Sequence, residues 1–241
     1  MPTFAERIAL RSRAVTIAGL AFLVLLAWAY LLSGAGMPAM ADMAAAPSFT
    51  TVAAMWSVMM VAMMIPAAAP TILLYAHVHR HSTGFESAPP AAAFLAGYLA
   101  CWLGCALIAA GLQVWVASPM PLVLANRDAA GGILVAAGIY QLSLFKEACL
   151  SRCRSPGLFL SRHYRPGPLG AFRVGVLHGA YCVGCCWLLM ALLFVGGVMN
   201  LVWVAGLTLL VAAEKLLPGG PWLARIAGVA MIVWGAALIL A

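Results

Sequence analysis

The chain has 241 residues, 66% of them hydrophobic and only 8% charged, and a formal net charge of +7. A mean hydropathy of +1.06 excludes an ordinary soluble domain. The excess of basic residues is not the footprint of a nucleic-acid binder, because no basic, aromatic-studded polar face accompanies it.

The predicted fold class is all-α, a polytopic transmembrane helix bundle, since a helix satisfies its own backbone hydrogen bonds in hydrocarbon and an open sheet edge does not. Apolar runs of spanning length predict about seven spans in one integral membrane domain, 1–241. They cover 14–33, 50–75, 91–117, 129–147, 175–196, 199–216 and 222–240. With the N-terminus inside and the C-terminus outside, Arg7, Arg11, Arg13, Arg80, Lys146, Arg152, Arg154, Arg162, Arg165, Arg173, Lys215 and Arg225 all fall on the inner side. Only Arg127 falls outside. That asymmetry follows the positive-inside rule and predicts a multi-pass membrane protein.

The opening MPTFAERIALRSR precedes about 19 apolar residues, longer than the ~7–15 of a secretory signal core. An uncleaved anchor is expected rather than cleavage near Ala39-Met40-Ala41. The first outer loop carries Met37, Met40 and Met43 at intervals of three, with Asp42 among them as an oxygen donor. Span two steps Met55, Met59 and Met63 by four, with Met60 and Met64 as a second pair. Its Pro66 and Pro70 predict a kink or break. It runs into His77, His79 and His81, whose spacing by two suits an extended, solvated loop better than a helix face.

Span three holds Cys101 and Cys105, which read as small buried hydrophobes before they read as ligands. The segment 148–174 is the longest inner loop, arginine-rich, interrupted by Pro156, Pro166 and Pro168, and suited to anionic lipid heads. Spans five and six form a hairpin through Gly196-Gly197-Val198-Met199-Asn200. Glu214 closes span six and is expected to pair with Lys215 or Lys146, or to snorkel.

The chemistry-bearing pattern is the cysteines. His178, Cys182, Cys185 and Cys186 are spaced by three or four, so a helix presents them on one face, and Met190 extends that face. Cys149 and Cys153, four apart, sit just beyond span four. If spans four and five are neighbours, these thiols converge into a soft-metal site with the tetrahedral set of Zn²⁺ or the two or three thiolates of Cu(I). Thioethers also favour Cu(I), so Met37, Met40, Met43, Met55, Met59 and Met63 read as outer ligands leading to inner Cys149, Cys153, Cys182, Cys185 and Cys186. The competing reading of these methionines is packing of irregular gaps. No phosphate-binding loop, nucleophile elbow, H-E-x-x-H helix or dinucleotide fingerprint is present, and no catalytic or cofactor-binding residue is assigned.

Three stretches, AMWSVMMVAMMIPAAAP, YQLSLFKEACLSRCRSP and HGAYCVGCCWLLM with the following GVMNLVWVAGLTLLVAAEKLLPGG, make most of residues 50–220 resemble a bacterial family of predicted metal-binding integral membrane proteins. The resemblance implies a multi-span protein that binds metal. It points to Cys149, Cys153, His178, Cys182, Cys185, Cys186, Met199, Asn200 and Glu214.

Three functions compete. The first is a Cu(I)-handling membrane protein that moves copper or delivers it to a cuproprotein, with a metallochaperone or cuproprotein as partner beside the lipid bilayer and the ion. The second is a membrane thiol–disulfide oxidoreductase built on Cys182-x-x-Cys185, the only enzymatic reading. The third is an assembly subunit with a structural Zn²⁺ site.

Overall fold

A computed structural model of the chain describes residues 4–34, 48–83, 88–117, 127–198 and 200–240, and all regular structure among them is helical. The elements are α1 (Phe4–Leu32), α2 (Phe49–Thr83), α3 (Ala88–Ala117), α4 (Arg127–Gln141), α5 (Leu144–Arg154), α6 (Pro156–His163), α7 (Gly167–Gly196), α8 (Leu201–Leu216) and α9 (Gly220–Leu240). Five helices, α1, α2, α3, α7 and α9, are long and apolar enough to cross a membrane. A sixth crossing arises if α4 and α5, bent by 63° at their junction, act as one broken span. α8, with 16 residues, is shorter than the ~20 that a lone crossing needs.

The departures from the sequence reading have local causes. The helix expected over 129–147 is divided at Ser143, whose hydroxyl accepts from the Lys146 N–H and caps α5. The loop expected over 148–174 is instead largely helical. Pro156 opens α6 and Pro168 lies in the first turn of α7, positions where a missing N–H is no loss. Pro66 and Pro70 lie inside α2 without ending it, and α2 continues through His77 and His79. The histidine triplet is therefore not an extended loop. His79 is buried, its Nδ1 lies 3.2 Å from the Tyr164 hydroxyl, and Tyr75 donates to the Arg165 carbonyl at 2.8 Å.

Close backbone approach organises the bundle. α3 packs most extensively on α7 and α4 on α9. Gly97 and Gly175 let α3 and α7 touch, because a Cβ on either would collide with the Phe172 or Phe94 carbonyl of the opposite helix. Gly131, Gly138, Gly228 and Gly235 do the same for α4 and α9. Small residues at such crossings let helix backbones approach closely. The expected hairpin turn is present, with Gly197 at φ +87° ending α7 and Asn200 Oδ1 accepting from the Trp203 N–H to cap α8. Large apolar side chains such as Leu25, Trp115, Leu144, Val202 and Leu209 remain on the outside of the bundle.

Candidate metal centre

α7 supplies the spine of the centre. His178, Cys182, Cys185 and Cys186 lie along one face and are all buried, as is Met190 beyond them. α5 packs across α7 and brings Cys149 and Cys153, also buried. The capped break at Ser143 makes this possible, because it turns α5 back onto α7 instead of prolonging α4.

Cys185 is the hub. Its thiol has the thiols of Cys153, Cys182 and Cys186 as side-chain neighbours. The Cys185 and Cys186 thiols also donate to the Cys182 carbonyl, at 3.1 and 2.9 Å. Cys149 closes the edge, its Sγ so near Gly184 that a Cβ there would lie 2.8 Å away. All seven cysteines are free thiols. Among the described residues no three His, Cys, Asp or Glu side chains form a ready-made metal-holding group.

His178 stands one turn below Cys182 in an aromatic box, with ring centroids 5.1 Å from Phe159, 5.8 Å from Tyr98 and 5.9 Å from Phe94. It is 2% exposed, and its Nδ1 has no hydrogen-bond partner. An unsatisfied polar atom at that depth costs about 1–3 kcal/mol and calls for an occupant.

Two neighbours of the thiols escaped the sequence reading. The Tyr98 hydroxyl lies 3.0 Å from Cys182 Sγ and donates to the Met64 carbonyl at 3.1 Å, tying α2 and α3 to the centre. Lys215, 6% exposed, places its Nζ 2.8 Å from Cys182 Sγ. A lysine inside an apolar helix is the available signal, masked by the acidic Glu214 beside it in sequence. Glu214 in fact pairs with Lys146 at 2.6 Å, and Gln141 bridges the two. Arg154 donates to the Glu214 and Pro218 carbonyls and ties off the end of α8.

The methionine ladder Met55, Met59 and Met63 is wholly buried in α2, together with Met60 and Met64. Met37, Met40, Met43 and Met199 lie outside the described residues. Asn200 is accounted for as a helix cap. Cys101 and Cys105 are half-buried on α3, and Cys101 packs against Gly179 between His178 and Cys182.

A family model described as "PpoB2: Copper chaperone" matches residues 53–238. The chain belongs to this copper chaperone family. The matched region takes in every cysteine, the methionine ladder and Lys215, and it begins after Met37, Met40 and Met43. No curated protein and no solved structure matches the chain. Membership in a copper chaperone family associates the chain with copper. Thiolates are soft ligands that favour Cu(I), and imidazole is also a copper ligand, so the residue types here are compatible with that metal.

Proposed function

We propose that the protein is an integral membrane copper chaperone that holds Cu(I) at the Cys153–Cys182–Cys185–Cys186 cluster and passes it to a cuproprotein under assembly. The observation that carries this reading is the Cys185 thiol, buried and in contact with three other thiols, in a chain of the copper chaperone family. Cu(I) is satisfied by two thiolates, so a cluster that offers thiols pairwise suits it. Zn²⁺ asks instead for a four-ligand tetrahedron, and the family match is to copper chaperones. His178 stands beside the cluster as a further ligand on the way in or out, and Cys149 as one at the α5 edge.

In this reading Met37, Met40 and Met43 collect copper on the outer side, and Met55, Met59 and Met63 relay it as neutral thioethers toward the tighter thiolates. The distribution of basic residues supports seven crossings with the N-terminus inside, α4 with α5 and α8 serving as the irregular ones. The cluster then lies toward the inner face of a bacterial inner membrane. A thiol–disulfide oxidoreductase is less well supported, because the family is one of copper chaperones.

The test is metal content. The full-length protein, purified anaerobically in mild detergent, should carry copper near one equivalent by mass spectrometry, and Cys185→Ser should lose most of it while staying folded. Zinc in place of copper, or equal copper in the variant, would refute the assignment.

A further inference from the structure

We infer that Lys215 is a fixed counter-charge that matches the centre to a monovalent soft cation held by two thiolates. The inference rests on the copper reading above and names what selects the cargo. Two of the three basic side chains beside the centre, Lys146 and Arg154, have oxygen partners. Lys146 is neutralised by Glu214 at 2.6 Å, and both are buried. Arg154 is spent on the carbonyls at the end of α8. Lys215 faces no carboxylate among the described residues, and its hydrogen bond goes to Cys182 Sγ at 2.8 Å. A buried ammonium with no anion is among the most costly groups a protein interior holds. Here the missing anion is the loaded centre itself.

The balance is simple. Two thiols release two protons and form two Cu–S bonds to one Cu(I), so the bis-thiolate complex carries one negative charge. Lys215 cancels that charge at hydrogen-bonding range. A divalent ion on the same two thiolates would be neutral and would leave the ammonium uncompensated. A divalent ion on four thiolates would carry two negative charges, one more than Lys215 supplies. The lysine therefore discriminates by valence where sulfur discriminates by softness. Its neighbour Glu214 fixes it in place, because the Lys146–Glu214 pair and the Arg154 bonds anchor the last turn of α8.

The experiment compares wild type, Lys215→Met and Lys215→Arg for Cu(I), Ag(I) and Hg(II), by competition against soluble thiol or chromophoric chelators under anaerobic conditions. All three ions are soft and take two sulfurs in a line, but Hg(II) forms a neutral bis-thiolate. Lys215→Met should weaken Cu(I) and Ag(I) about 10- to 100-fold, the worth of a charge-assisted contact in a buried site. Hg(II) should hold or tighten, and Lys215→Arg should stay near wild type for all three. Equal losses for all three ions would mean that the lysine acts only on the fold, and no loss would mean that it does not act on the cargo. Either outcome overturns the inference while leaving the copper reading intact. Failure of the wild type to bind Cu(I) would overturn both.

Discussion

Replacing Glu214 by leucine is the sharpest test of the buried polar network. In the native protein Glu214 Oε2 accepts from Lys146 Nζ at 2.6 Å and Oε1 accepts from Gln141 Nε2 at 2.7 Å. Lys146 is 1% exposed, so water cannot replace the carboxylate. The variant leaves Lys146 with the Gln141 oxygen alone and puts two uncompensated ammonium groups, Lys146 and Lys215, in one interior. Breaking a buried pair by removing one partner costs about 3–5 kcal/mol. For a chain of this size each kcal/mol moves Tm by about 2–4 °C, so a drop of about 6–20 °C is expected. The assay is thermal unfolding of the detergent-solubilised protein followed by helical circular dichroism at one scan rate. The Lys146→Leu/Glu214→Leu double variant should recover most of the loss, because both charges leave together. A single variant within about 2 °C of wild type, or a double variant no better than the single, would refute the reasoning.

Other outcomes follow from the helix contacts and from burial. Gly175→Ala places a Cβ against the Phe94 carbonyl and should destabilise the α3–α7 pair by about 1–3 kcal/mol, whereas Gly104→Ala on the open side of α3 should be neutral or stabilising by up to about 1 kcal/mol. Equal effects in thermal unfolding would show that the crossing is not close. Under reducing, metal-free conditions a maleimide should modify half-buried Cys101 and Cys105 first and the other five thiols only on unfolding, as counted by intact mass. Labelling of Cys185 as fast as Cys105 would contradict the buried cluster.

The thiol face of α7 was legible because helical spacing alone puts His178, Cys182, Cys185 and Cys186 together. The long apolar helices were legible because hydropathy is additive along the chain. What escaped depended on context that a linear reading does not carry. Pro156 and Pro168 read as breakers, yet at the first turn of a helix proline costs nothing. His77 and His79 read as an extended loop, yet Tyr75, His79 and Tyr164 pack together and carry α2 onward. Glu214 has a lysine next to it in sequence and another 68 residues earlier, and the structure pairs it with the distant one. That choice hangs on the break at Ser143, which swings Lys146 inward. Once Lys146 takes the carboxylate, Lys215 is left for the cysteines, a result that no local pattern announces.

The centre draws on pieces scattered along the chain: Tyr98 from α3, Cys153 from α5, Cys182 and Cys185 from α7, and Lys215 from α8. A ribosome delivers them in that order, so every sulfur is in place before the ammonium that balances them. Until α8 docks, the nascent protein presents reduced thiols with nothing to set the charge of what they bind. If Lys215 selects the cargo as proposed, chains stalled before α8 are the species in which mismetallation should accumulate.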